Sequence, residues 1–202
     1  MIRLLVADDE ALIRGAMTAL LDLEPDLEVV AEAGDGDEAL AAFRRHRPDI
    51  AVLDLEMPPA DGLVVAERMS AEAGEGFQTV LVTRHARPGV LRRALAAGVS
   101  AFVPKTTAAE QLARILRDVR DGKRYVDPAI AASALTEGAC PLTDRELEVL
   151  AAARKGGSVK EIAAEVHLAQ GTVRNYLSSA MAKLGARTRH AAAREAWEQG
   201  WI

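Results

Sequence analysis

The 202-residue sequence predicts an α/β unit, a five-stranded parallel sheet covered by helices on both faces, followed by an all-α unit of four helices. Three observations carry that expectation. Short apolar runs alternate with segments of helical period over about the first 120 residues, as in a parallel sheet whose crossovers are helices. Beyond about residue 141 every patterned segment has helical spacing or a helix cap. The charge divides at the same place: residues 1–122 hold 14 Lys and Arg against 21 Asp and Glu, and residues 123–202 hold 11 against 9. An acidic front and a locally basic back point to two domains with different partners, placed at 1–122 and 141–202 and joined by a linker at 123–140.

The elements follow in order. Ile2 to Asp8 is an apolar strand running into acids. Ala11 to Leu23 carries Leu12, Ala16, Ala19 and Leu20 at helical spacing, and Pro25 closes it. Leu27 to Glu32 alternates as a strand does. Asp37 to His46 is a helix with Ala39, Leu40 and Phe43 inward, ended by Pro48. Ile50 to Leu53 is an apolar run of the kind buried on both faces. A helix from Leu63 to Ala73 breaks at Gly74 and Gly76. Phe77 to Thr83 is the fourth strand, and a helix begun at Arg87-Pro88-Gly89 runs to Ala97, capped by Gly98. Val99 to Val103 is the fifth strand. Thr107 is expected to cap a helix from Ala108 to Arg120. In the connector, Ala129 to Leu135 has room for a short helix.

In the second unit Thr143 and Glu146 form a capping box, with Leu147, Leu150 and Ala151 inward. Ser158 caps a short helix with Ile162 and Ala163 inward. After the turn His167-Leu-Ala-Gln170 comes a helix from Gly171 to Leu184, then another from Thr188 to Gln199. Two helices joined by a short turn read as a helix-turn-helix. Residues 166–194 hold no acid and five Lys or Arg. Val173, Leu177, Met181 and Leu184 make one apolar stripe, and Thr172, Arg174, Asn175, Ser178, Ser179 and Lys183 occupy the other face. Arg and Asn can read base edges, and Lys, Ser and Thr can hold phosphates. The plain alternative is an ordinary solvated face.

The chemistry gathers around Asp54. It ends a central strand before the turn Pro58-Pro-Ala-Asp-Gly62, at the sheet edge where ligands of open α/β folds bind. Alone, it could simply cap the next helix. Parallel strands also bring Asp8, Asp9, Thr83 and Lys105 to that edge. Clustered carboxylates suit Mg²⁺. An Asp carboxylate is a possible nucleophile toward phosphorus, with Lys105 and Thr83 placed to stabilise the transferred oxygens.

Asp8-Asp9, Asp54 with Met57-Pro58 and Asp61-Gly62, Thr83, Phe102 and Lys105 together resemble a response-regulator receiver domain of flavodoxin-like fold. The resemblance implies that Asp54 takes phosphate from a sensor histidine kinase. It also implies that Asp9, Asp54 and the Glu56 carbonyl hold Mg²⁺ with Asp8 acting through water, and that Thr83 and Phe102 form the switch. Two departures stand out: Thr106 follows the lysine where such receivers often have Pro, and Phe102 has no hydroxyl where Tyr is usual. The tail, through Leu142-Thr-x-Arg145-Glu146, Lys160-Glu-Ile-Ala163, Gly171-Thr-Val-Arg-Asn-Tyr176 and Lys183-Leu184, resembles the DNA-binding domain of the LuxR/NarL class. This implies that Lys160, Thr172, Arg174, Asn175, Ser178, Ser179 and Lys183 meet double-stranded DNA with inverted half-sites, bound by a homodimer formed on phosphorylation. Within the class, Ala86-Arg-Pro-Gly89, Gly122-Lys-Arg-Tyr125 and Gly200-Trp201 resemble regulators of membrane-lipid or stress responses.

Two other functions share part of this pattern: a phosphatase with an Asp nucleophile, and a constitutive DNA binder with an inactive receiver. The first lacks a cap domain and the second does not fit the complete Asp8, Asp9, Asp54, Thr83 and Lys105 set. The pattern therefore predicts no enzyme beyond phosphoryl gain and loss at Asp54. No apolar run spans a bilayer and no signal-peptide pattern appears, which predicts a cytoplasmic protein away from membranes. The single cysteine, Cys140, excludes an intrachain disulfide. His85, two residues after Thr83, is either a group that polarises or blocks water attacking the aspartyl phosphate or a solvent-exposed rim histidine with no such role.

Overall fold

A computed structural model describes residues 1–58, 61–84, 88–136 and 140–202. The chain forms two compact units, one of residues 1–86 and 91–131 and the other of 132–202, with which 87–90 are grouped.

The first unit alternates strand and helix: β1 (Ile2–Ala7), α1 (Ala11–Leu21), β2 (Leu27–Ala33), α2 (Gly36–His46), β3 (Ile50–Asp54), α3 (Gly62–Glu72), β4 (Gln78–Thr83), α4 (Pro88–Ala96), β5 (Ala101–Pro104) and α5 (Ala109–Arg120). All strand pairings are parallel, in the order β2-β1-β3-β4-β5. Strand order reverses at β1 and β3, which opens a crevice at their carboxyl ends. Successive residues of a strand face opposite sides. Leu4, Val6, Ile50, Val52, Val80, Val82 and Val103 therefore pack with Leu112, Ile115, Leu116 and Val119 of α5. Leu5, Ala7, Ala51, Leu53, Leu81 and Phe102 point the other way and are equally buried, as are Leu40 and Phe43 of α2 and Val65 and Met69 of α3. Each such large side chain contributes roughly 1.5–3 kcal/mol by leaving water.

The sheet has a sixth strand where five were expected: β6 (Tyr125–Val126) lies beyond β5, parallel to it. Tyr125 N–H donates to the Ser100 carbonyl at 3.0 Å and Asp127 N–H to Phe102 at 3.1 Å. Two residues are too few to show alternation in a sequence. The connector continues as α6 (Pro128–Thr136), where a short helix was expected.

The helix expected over Ala11 to Leu23 forms, but the apolar residues that mark its period, Leu12, Ala16, Ala19 and Leu20, are exposed, and Leu12 is 84% accessible. The inward residues are Met17 and Leu21, with Ile13 half-buried a turn earlier. Thr107 does not cap α5; Ala108 is the N-cap and offers no side-chain bond.

The second unit holds α7 (Asp144–Arg154), α8 (Val159–Glu165), α9 (Gln170–Leu184) and α10 (Arg189–Glu198). Capping boxes open α7 and α8: Thr143 with Glu146, and Ser158 with Glu161. The inner face of α7 is Val149, Leu150, Ala152 and Ala153, while Ala151 is exposed. These residues pack with Ile162, Val173, Leu177 and Ala196 in one core, against which Trp201 also rests. Between α8 and α9, His167 takes a left-handed conformation (φ 53°). Leu168 N–H reaches back to the Ala163 carbonyl at 3.0 Å. This tight turn makes the α8–α9 pair a helix-turn-helix.

Candidate functional site

Pairing of β3 with β1 and β4 sets Asp54 beside the end of β1, which runs straight into Asp8. Both carboxylates are buried, Asp8 fully and Asp54 at 3% exposure. Lys105 follows β5. Its N–H donates to the Thr83 carbonyl at 2.8 Å, so the backbone delivers the side chain to the same edge. Its ammonium lies 2.8 Å from Asp8 Oδ2, 2.9 Å from Asp54 Oδ2 and 3.2 Å from Glu10 Oε1. Burial pushes the Asp54 carboxyl above its ordinary value, although Lys105 and the Glu56 N–H pull the other way. Burial alone would lower the Lys105 pKa, but its bonds to Asp54 and Asp8 raise it instead. The ammonium is thus held charged against the acids it neutralises.

Asp9, Glu10, Asp54, Glu56, Arg84 and Lys105 line one open cleft of roughly 170 Å³. Ligand atoms of Asp8, Asp9 and Glu10 lie within 4.8 Å of one another. Thr83, at the carboxyl end of β4, and Phe102, within β5, are both buried, at 0% and 1% exposure. Gly62 is required here: a Cβ would stand 2.0 Å from the Asp54 carbonyl oxygen. Gly62 therefore sits against that carbonyl, and Asp61 caps the following helix by accepting the Leu63 N–H at 2.8 Å. Glu10 and Arg84 are ion-paired across the mouth. A surface salt bridge is what the sequence suggests first for Arg84, ahead of pairing with Glu56 or phosphate, and its partner is Glu10, which no motif singles out. His85 lies outside the described residues.

In the second unit, Arg174, Asn175 and Ser178 are exposed on α9, Thr172 is half-buried near its start, and Lys160 is exposed on α8. Ser179 and Lys183 are exposed on the same helix and both also bond to Glu146, at 2.6 and 2.7 Å. Glu146 is only 3% exposed and also accepts the Thr143 N–H at 2.7 Å. Burial would raise its pKa, but Lys183, Ser179 and Thr143 outweigh that and hold it down to about 2. Sequence reasoning saw this glutamate only as half of a cap.

A parallel α/β unit with an acid–lysine cleft, joined to a helix-turn-helix unit, defines a signalling switch coupled to nucleic-acid binding. The response regulator receiver domain family matches residues 4–117, and the luxR family of bacterial regulatory proteins matches residues 140–196. The chain belongs to the response regulators that carry a luxR-type DNA-binding domain, and it is a phosphorylation-regulated transcription factor. It is 39% identical to the transcriptional regulatory protein DesR of Bacillus subtilis (strain 168), over 100% of both chains. It is 41% identical, with the same coverage, to YvfU, an uncharacterized transcriptional regulatory protein of that organism. Among solved structures it is similar to response regulator ChrA of a heme-sensing two-component system. There the TM-score is 0.59 and the identity 26%, covering 100% of this chain and 98% of that one. No helix of the described residues is long and apolar enough to cross a membrane.

Proposed function

We propose that Asp54 is the phosphoacceptor and that a sensor histidine kinase supplies its phosphoryl group. The observation that carries this reading is the buried contact of Asp54 and Asp8 with one lysine at the carboxyl edge of the sheet. Asp8, Asp9, Asp54 and the Glu56 backbone carbonyl offer the all-oxygen donor set that Mg²⁺ favours, in a cleft whose carboxylates outnumber its cations. Bound there, Mg²⁺ would neutralise charge on the transferring group. An Asp54 carboxylate oxygen attacks phosphorus; the new P–O bond forms as the P–N bond to the kinase histidine breaks, and that nitrogen keeps the electron pair. Lys105 releases Asp54 and follows the incoming charge, while the Thr83 hydroxyl donates to a phosphoryl oxygen. Thr83 and Phe102 then relay the change by repacking. Because Phe102 has no hydroxyl, the relay works through shape.

Output follows from the second unit. Arg174, Asn175 and Ser178 face the bases in the major groove, with Thr172 and Lys160 on phosphates. Phosphorylation favours a homodimer, which engages inverted half-sites together and gains affinity through effective concentration. Such a regulator works in the cytoplasm, beside its DNA. Target genes in a membrane-lipid or stress response fit the motif resemblance of Gly122-Lys-Arg-Tyr125 and Gly200-Trp201.

Incubation with a small phosphodonor and Mg²⁺ tests the assignment. Intact mass is expected to show one added phosphate on the native chain and none on Asp54→Ala. Stoichiometric gain by the variant sinks the reading.

A further inference from the structure

We propose that Arg84 is a second phosphoryl-binding cation, held on Glu10 until Asp54 carries phosphate. The inference rests on the reading of Asp54 as the phosphoacceptor. Arg84 follows Thr83 directly at the end of β4, and its guanidinium pairs with the Glu10 carboxylate. That same carboxylate takes Lys105 at 3.2 Å, so Glu10 tethers both cations that line the cleft among the described residues. Glu10 is also the N-cap residue of α1, yet its side chain makes no capping bond there. It reaches across the cleft instead.

The charges explain why this tether is temporary. Without phosphate, Lys105 is the one side-chain cation among the described residues that pairs with Asp8 and Asp54, and it is almost fully buried between them. A phosphoryl group adds roughly 1.5–2 negative charges at the mouth. Lys105 is a point charge already shared among three carboxylates. Arg84 offers a planar fork that matches two phosphoryl oxygens at once. Its side chain is 51% exposed and its pair with Glu10 faces solvent. Such a pair is weak and screened, so exchanging Glu10 for phosphoryl oxygens costs little. Glu10 thereby keeps Arg84 within reach of Asp54 while the site waits, and releases it when the stronger anion arrives.

Beryllofluoride, bound without a covalent P–O bond at saturating Mg²⁺, is a suitable probe on the full chain. Its affinity is measured by titration calorimetry, with Mg²⁺ affinity measured separately. Arg84→Ala is expected to bind beryllofluoride roughly tenfold more weakly and Mg²⁺ no more weakly than the native chain. Arg84→Lys falls between, because it restores charge but not the fork. Glu10→Gln, which frees Arg84, binds beryllofluoride at least as tightly as the native chain. Native affinity in Arg84→Ala overturns the inference. So does parallel loss of Mg²⁺ and beryllofluoride, which marks a damaged site, or equal weakening by Glu10→Gln. Asp54→Ala separates the two readings. If it binds the probe like the native chain, the phosphoacceptor assignment fails; if it loses binding while Arg84→Ala does not, only the role of Arg84 fails.

Discussion

Lys183 shows how one contact changes the meaning of a residue. Its position on α9 suggests a phosphate anchor, but its ammonium reaches the buried Glu146 carboxylate. Lys183→Ala should therefore destabilise the second unit by roughly 1–3 kcal/mol, the range for leaving a buried charged group short of a partner. Urea unfolding measures that loss, and an unchanged midpoint would refute the structural role of the pair. Arg174→Ala should instead leave the midpoint unchanged, cost about 1–3 kcal/mol of operator binding and relax one base preference. Binding to operator and scrambled DNA distinguishes base reading from anchoring. Glu146 also sets an acid limb. Its carboxyl titrates at about 2 in the fold, below the usual glutamate value. A depressed carboxyl stabilises fully above its unfolded pKa, about 4.3, and loses that contribution as pH falls through the folded value. Native stability should decline from about pH 4.3 toward 2, and Glu146→Gln should flatten this limb. Parallel pH profiles would refute the assignment.

At the scale of elements, α1 marks the limit of pattern reading. Its residues are apolar on nearly every side, so a period reveals a helix without fixing which face turns inward. Leu12 and Leu21 look alike in sequence, yet one is 84% exposed and the other 1%. Leu21→Ala should cost about 2–5 kcal/mol and Leu12→Gln less than about 0.5 kcal/mol, read as shifts in the unfolding midpoint. Reversed costs would mean the helix is turned the other way. Helices α2 and α9 were legible because charged residues occupy the face opposite Leu40 and Phe43, or opposite Val173 and Leu177. The cleft was legible because parallel strands deliver their carboxyl ends to one edge, so Asp8, Asp54, Thr83 and Lys105 could be placed by strand position alone. Glu10 with Arg84, and Glu146 with Ser179, were not, because residues 74 and 33 positions apart meet only through packing. No local pattern encodes such distances.

For the whole molecule, two units in one chain make phosphorylation a problem of assembly. Sedimentation of the chain carrying a phosphate mimic at Asp54 should show a heavier species, and operator binding should steepen with protein concentration. A monomer both free and on DNA would remove dimerisation from the scheme. The short strand β6 has a different consequence, one for anyone who cuts this chain. Placing the division after residue 122 strips β5 of its neighbour and lays open the Ser100 and Phe102 carbonyls that β6 now satisfies. A bare edge is a template on which a stranger's strand can be laid. A fragment ending at Gly122 should thus clump in solution without any phosphate, whereas one extended through Thr136 carries its own hem and stays dispersed.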